Sequence, residues 1–227
     1  MKNRLTAIKF PHAEGSFYLI SLDAITSEEV VLASKLLDEG SLRRARRYAF
    51  QRDQNKFILV HASLRLLLGE LLGLNAEKIQ IKRNIYQKPY IEGNPAYFNI
   101  SRSDDYAMIG VHSCCSIGVD IEKVIDQRVV LDTEILYPLE RSNIIASTDC
   151  VDAFFRYWCA KEALVKALGT GFAKGAPPLT HIAKINRESD IFRGDGIETS
   201  AIRVGSYMMG VSLECLSSHE DKSFLQP

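Results

Sequence analysis

The chain has 227 residues, enough to bury one good core or two small ones, and its 28 basic residues are balanced by 28 acidic ones, which argues against a bulk nucleic-acid binder. Five cysteines, with Cys114 and Cys115 adjacent and no C-x-x-C spacing, point to neither a disulfide framework nor a zinc site; reduced thiols in a soluble cytoplasmic protein are expected. No apolar run approaches membrane-spanning length, and the scattered histidines read as structural or exposed.

From the N-terminus, Phe17 to Leu22 predicts a strand, and Ser27 to Leu37 a helix opened by Ser27 with Glu28 and Glu29 in its first turn. Gly40-Ser41 should break that pattern. Arg43, Arg44, Arg46, Arg47 and Arg52 then crowd together, a density that needs either solvent or an anionic partner; a solvated helix face is the default. Asp53 to Leu72 has the period of a long helix, with Phe57, Val60, Leu64, Leu67, Leu68 and Leu71 on its apolar side and Gly73 as its stop. Arg65 interrupts that side and is expected in a structural ion pair.

Further on, Pro89 restricts Lys88 to an extended backbone, so this lysine can be aimed at an anion at little entropic cost. Phe98 to Ser103 alternates with Phe98 and Ile100 inward, and Ala107 to Val111 predicts another strand. In Ile117-Gly118-Val119-Asp120-Ile121-Glu122 the β-branched residues should face a core, and Gly118, Asp120 and Glu122 the other side. Two carboxylates at i and i+2 repel each other unless something positive lies between them. Lys123 to Ser147 reads as irregular to helical, with Glu140 as a helix cap or a further acid.

Phe154 to Phe172 predicts a second long helix, with Gly169 and Gly171 as stop signals. Phe154, Phe155, Trp158 and Val165 gather on one side and Leu164 and Leu168 extend it, yet Lys161 falls inside that arc and Glu162 at its edge. Ala160, Ala163 and Ala167 permit close packing opposite, so the helix should be largely buried. A buried carboxylate costs several kcal/mol unless a cation meets it. With Asp120 and Glu122, Glu162 would make a three-carboxylate oxygen site suited to Mg²⁺; the bland alternative is a solvated strand face and a surface Glu. Gly171 to Thr180 is a Gly/Pro loop. Ile182 to Ile185, Ile191-Phe192, Ala201 to Val204 and Tyr207 to Leu213 predict strands, the last pair joined at Gly205-Ser206, and Ser217 to Pro227 a frayed tail.

Gly118-Val119-Asp120-Ile121-Glu122, followed by Trp158-Cys159-Ala160-Lys161-Glu162-Ala163-Leu164-Val165-Lys166, resembles the paired signature of the 4′-phosphopantetheinyl transferase superfamily, a G-[IV]-D-x-E strand and a W-[SAC]-x-K-E-[AS]-x-x-K helix. The resemblance extends from Arg43 to Tyr207 and is to the long, monomeric branch typified by the surfactin-synthetase activator. It implies an α+β pseudo-dimer of two similar subdomains, residues 1–113 and 114–227, each a small, mainly antiparallel sheet packed on a long helix, with the substrate cleft between them.

The implied reaction moves the 4′-phosphopantetheine arm of coenzyme A to a serine of an apo acyl, peptidyl or aryl carrier protein and releases 3′,5′-ADP. Asp120, Glu122 and Glu162 would hold Mg²⁺, with Glu162, Asp120 and Lys166 as catalytic groups. Arg44 and Lys56 would meet coenzyme A phosphates, with Arg46 and Arg47 as substitutes for Arg44. Lys88-Pro89 is similar to the family's G-K-P-x-[IL] element, with Gln87 where glycine is usual. Ser101-Arg102 is similar to F-N-[IVL]-S-H-S, with Arg102 in the histidine's place and its cation kept. Lys166 would offset charge on the phosphates, and Lys161 could pair with a phosphate or with a carboxylate. Two rival readings are a non-catalytic coenzyme A module and a Mg²⁺-dependent pyrophosphate hydrolase.

Overall fold

A computed structural model of the chain describes residues 2–11, 13–125, 136–169, 191–194 and 196–215. In chain order its elements are β1 (Leu5–Ile8), β2 (Ser16–Ser21), α1 (Ser27–Ser34), α2 (Glu39–Ala45), α3 (Gln51–Leu72), β3 (Lys82–Arg83), β4 (Pro89–Tyr90), β5 (Tyr97–Ser103), β6 (Tyr106–His112), β7 (Ser116–Lys123), α4 (Pro138–Ile145), α5 (Cys150–Leu168), β8 (Ile191–Gly194), β9 (Ile197–Val204) and β10 (Tyr207–Glu214). They form a mixed α+β fold with two antiparallel four-stranded sheets, ordered β1-β2-β6-β5 and β7-β10-β9-β8, and a short β3–β4 hairpin.

The period-two alternation of the strands dictates the layering. In the first sheet Ile20, Ala107, Ile109 and Val111 pack with Leu59, Leu64 and Leu68 of α3, whereas Phe17 and Met108 turn the other way. There they meet Ile117, Val119, Ile121, Met209, Val211 and Leu213 of the second sheet. Each of these fully buried aliphatic side chains contributes about 1.5–3 kcal/mol relative to exposure. The far face of the second sheet carries α5. Four layers result: α3, first sheet, second sheet, α5.

The seat of α5 explains two glycines. A Cβ at Gly118 would lie 1.9 Å from the Ala163 carbonyl oxygen and 2.4 Å from the Ala167 nitrogen, and one at Gly210 would lie 2.3 Å from the Cys159 carbonyl oxygen. Since Gly210 is paired with Asp120 across the β7–β10 ladder, the two missing side chains let the helix backbone rest directly on the sheet beside that carboxylate.

Several boundaries differ from the sequence expectation. Helix α1 is capped by Thr26 rather than Ser27, in a reciprocal box with Glu29. Gly40-Ser41 does not break the chain but lies inside α2, because the Asp38 side chain accepts the Ser41 N–H at 2.8 Å and starts a helix there. Helix α5 begins at Cys150, capped by Asp149, and ends at Gly169, whose φ of 71° is left-handed. Arg65 is buried in the expected ion pair, with Asp38, and donates to the Ile79 carbonyl at 2.5 Å.

The cysteines are not all reduced thiols. Glu214 pairs with Ser116 across the β7–β10 ladder, so the residues flanking that pair, Cys215 and Cys115, face each other with Cα atoms 4.5 Å apart, and they are disulfide-bonded. Sequence spacing gave no sign of the pairing because strand register alone creates it, across 100 residues. Cys114 and Cys150 are exposed free thiols and Cys159 is a buried one. The expectations for Gly171 to Thr180, Ile182 to Ile185 and Ser217 to Pro227, and for residues 126–135, lie outside the described residues. Among the described residues no helix is long and apolar enough to cross a membrane.

Candidate active site

The two sheets meet along an edge of each. Strands β5 and β7 run side by side in the same direction, and side chains rather than a backbone ladder connect them. Asn99 Oδ1 accepts the Val119 N–H at 3.1 Å, Ser101 Oγ donates to Asp120 Oδ1 at 2.8 Å, and Ser103 Oγ donates to Glu122 Oε2 at 3.0 Å while accepting the Lys123 N–H at 3.0 Å. Alternation explains the set: residues 99, 101 and 103 share one side of β5. Of the three, only Ser101 was expected at the site. The polar residues repeating every second position were the readable signal for the other two.

Helix α5 completes the acidic side. Lys166 Nζ, one turn beyond Glu162, donates to Asp120 Oδ1 at 2.7 Å, to Ser101 Oγ at 3.1 Å and to the Val119 carbonyl at 3.2 Å. Asp120 is only 2% exposed, and its second oxygen, Oδ2, is buried with no hydrogen-bond partner. Burial pushes the Glu162 carboxyl above its ordinary range; Lys166 opposes the shift, and the negative charges of Asp120 and Glu122 add to it. Glu162 thus lies within electrostatic reach of the two strand carboxylates. The grouping is open, since the three carboxylates are not all within 4.8 Å of one another. Burial, with Asp120 and Glu122 adding to it, also holds the Cys159 thiol well above its usual value, so Cys159 is an inert neighbour of these acids.

The opposite side of β5 looks onto a basic basin. Arg44, Arg47, Tyr48, Phe57, Arg83 and Gln87 line an open depression of about 400 Å³. Arg44 stands over the Phe57 ring at 5.6 Å from its centroid, and Arg102 stands over the Tyr48 ring at 5.5 Å and donates to the Tyr48 hydroxyl at 2.8 Å. Behind them His61 stacks on Phe57 and is driven down to a pKa of about 3, by burial first; the Phe57 carbonyl opposes this, and Arg44, Arg102 and Arg83 reinforce it. It is a neutral ring backing a cationic wall. Arg83 and Tyr48 were not among the expected residues: Arg83 reaches the basin only because the β3–β4 hairpin folds it opposite Pro89. Gln87, found where glycine was anticipated, has a φ of 64° in the turn of that hairpin, a conformation that favours glycine.

Of the remaining expected residues, three lysines are bonded within the protein and Pro89 lies beside the basin. Lys56 is 5% exposed, and its ammonium is committed to Asp105 at 2.7 Å and to the Asp104 carbonyl at 2.9 Å. Lys88 donates to the Ala167 carbonyl at 2.6 Å and to Ser116 Oγ at 3.1 Å, so it caps the C-terminus of α5. Burial lowers its pKa to about 8, against the pull of Glu214. Pro89 contributes to the cavity wall between Arg44, His61 and Arg83. Lys161, of its two open partners, takes the carboxylate: it is fully buried, donates to Glu140 Oε2 at 2.5 Å and lies 4.6 Å from the Tyr137 ring centroid. That geometry leaves its ammonium sealed from any substrate phosphate. Glu140 also accepts the Tyr137 N–H at 2.9 Å, which is the capping role.

Three carboxylates with a lysine on one of them, beside an arginine basin, are oxygen donors and cations of the kind that phosphate ligands meet. Comparison with known proteins points the same way. The 4′-phosphopantetheinyl transferase superfamily matches over residues 116–205, and a 4′-phosphopantetheinyl transferase N-terminal region matches over residues 24–114. The 4′-phosphopantetheinyl transferase HetI of Nostoc sp. is 31% identical over 173 residues, 71% of each chain. A putative 4′-phosphopantetheinyl transferase of Synechocystis sp. is 27% identical over 147 residues, 62% of this chain and 60% of its own length. The 4′-phosphopantetheinyl transferase of Bacillus subtilis is 26% identical over 181 residues, 78% of this chain and 80% of its own. With the acid strand and the Lys-Glu helix brought to one edge and relatives matched along both halves, the chain belongs to the 4′-phosphopantetheinyl transferase superfamily.

Proposed function

We propose that the chain transfers the 4′-phosphopantetheine arm of coenzyme A to a serine hydroxyl of an apo carrier protein, releasing 3′,5′-ADP. The observation that carries this reading is the buried, unpartnered Oδ2 of Asp120, beside Glu122 and Glu162 and backed by Lys166. An orphaned carboxylate oxygen among like charges fits a divalent cation as its missing partner. Asp120, Glu122 and Glu162 would hold Mg²⁺, and the ion, when bound, would neutralise the diphosphate oxygens.

The chain's own residues would do the rest. Lys166 orients Asp120 and adds positive charge at the phosphates. Ser101 fixes the Asp120 carboxylate from the other sheet. Glu162, its affinity for protons raised, is the group to take the proton from the carrier serine. Arg44, Arg47, Arg83 and Arg102 would receive the 3′-phosphate end, with Tyr48 and Phe57 as flat surfaces beside them. Lys56, Lys88 and Lys161 act as structural cations here, since each ammonium is already committed within the protein.

This reading treats residues 1–113 and 114–227 as the two subdomains of a pseudo-dimer. It is supported by the two sheet-and-helix layers and by the gap between the two family matches at residue 115. It also takes the protein as a cytoplasmic monomer, in which the Cys115–Cys215 bond would form against a reducing medium. The test is incubation with coenzyme A, Mg²⁺ and a panel of apo carrier proteins, read by intact mass. A carrier gaining one phosphopantetheine supports the proposal. Coenzyme A consumed without any carrier would favour a hydrolase, and no modified carrier in any pairing would overturn the transfer.

A further inference from the structure

At the opposite end of β7 from Glu122, a second group of donors has a different chemistry. The turn from β6 into β7 carries His112, Cys114 and Cys115, whose ligand atoms all lie within 4.8 Å of one another. His112 Nδ1 is 3.7 Å from Cys114 Sγ, and Cys114 Sγ is 3.8 Å from Cys115 Sγ. The Cys114 and Cys115 N–H groups donate to Nδ1 at 3.1 and 2.9 Å, which fixes the ring with that nitrogen toward the sulfurs. Cys215, which follows β10, is joined to Cys115 and stands at the same end of the sheet.

The spacing of His112, Cys114 and Cys115 matches three corners of a tetrahedral ligand shell, and Cys215 would turn in as the fourth once freed from Cys115. With Zn–S near 2.3 Å and Zn–N near 2.05 Å, neighbouring donors in a tetrahedron stand roughly 3.5–3.8 Å apart. We propose that His112, Cys114, Cys115 and Cys215 form a binding site for a borderline-soft divalent cation of the zinc type once the Cys115–Cys215 bond is reduced. The reduction is written with a dithiol as donor: two electrons and two protons pass to the protein, the S–S bond opens to two thiols, and the dithiol closes to its own disulfide. Binding then releases the three thiol protons to solvent. The cation takes the Nδ1 lone pair that the two N–H groups now share. Thiolate and imidazole donors select against Mg²⁺, so this site and the carboxylate site would not compete for one ion.

Cobalt is the direct probe, because thiolate-bound tetrahedral Co²⁺ has sulfur-to-metal absorption that carboxylate-bound Co²⁺ lacks. Protein reduced with a phosphine and freed of it without air should take up one equivalent of Co²⁺ with that band, and Zn²⁺ should displace it. The oxidised protein should show no such band. Cys114→Ala alters an exposed residue outside the disulfide and should weaken binding about 10-fold or more; Cys150→Ala, exposed and distant in sequence, should not. No stoichiometric uptake by the reduced protein, unchanged affinity in Cys114→Ala, or equal uptake by the oxidised protein would each overturn the site.

Discussion

Asp120 holds Lys166 and Ser101 through one carboxylate oxygen and leaves the other buried without a partner. In Asp120→Asn the amide can still accept from Lys166, and one negative charge leaves a crowded site, so the metal-free fold should survive. Wild-type protein should gain stability with Mg²⁺, by about 2.7 kcal/mol at 100 times its Kd, and the variant should gain none; thermal melts with and without Mg²⁺ decide this. Glu162 supplies a pH signature. Its folded pKa is raised above the ordinary 4.5, so its contribution to stability is fully present below that pH and is lost as pH rises through the folded value. Glu162→Gln should therefore stabilise the metal-free protein at pH 7, have little effect well below pH 4.5, and abolish transfer; denaturant titrations in chelator at both pH values test it. Arg44→Ala and Arg83→Ala should each raise KM for coenzyme A about 10- to 100-fold, since hydrogen bonds to charged groups contribute about 1.5–3 kcal/mol. Activity with 3′-dephospho-coenzyme A should barely change; an equal loss with both would remove the 3′-phosphate from the basin. At this scale the sequence disclosed the acids and Arg44 through motif and local density. It hid Arg83, which has no basic neighbour beyond Lys82 and owes its place to a hairpin.

Among the elements, the two long helices were the most legible, because α3 and α5 carry long apolar stripes, each broken by a buried cation, and end at glycines in left-handed conformation. Helix α2 was missed because a single side-chain cap from Asp38 outweighs the poor propensity of Gly40-Ser41. At Gly118 the space that a side chain would take is filled by the backbone of α5 and not left open beside the carboxylates. The distinction matters for mutation. Gly118→Ala would drive a methyl group into helix backbone that cannot rotate away, so it should cost about 3 kcal/mol or more and displace Glu162 and Lys166 together. A lower urea midpoint with lost transfer is expected, and a variant as stable as wild type would mean that α5 is not seated there.

Over the whole molecule, alternation told which residues were strands but not which strands were neighbours. The partner of β7 is β10, which follows more than eighty residues later, and only that pairing reveals both the seat of α5 and the Cys115–Cys215 bond. The bond closes a long loop, so opening it in metal-free protein should lower stability by about 2–4 kcal/mol; denaturation of the oxidised protein against Cys215→Ser measures this, and no difference would mean the unfolded chain gains no freedom from its loss. The seam between β5 and β7 has a further effect. Exposed strand margins invite pairing with other chains, and here two of them are turned toward each other, with Asn99 and Ser103 occupying backbone N–H groups that a foreign strand would otherwise seek. Prising the halves apart would uncover both margins at once, so damage to this row of polar side chains should emerge as precipitation during expression before it is seen as slow turnover.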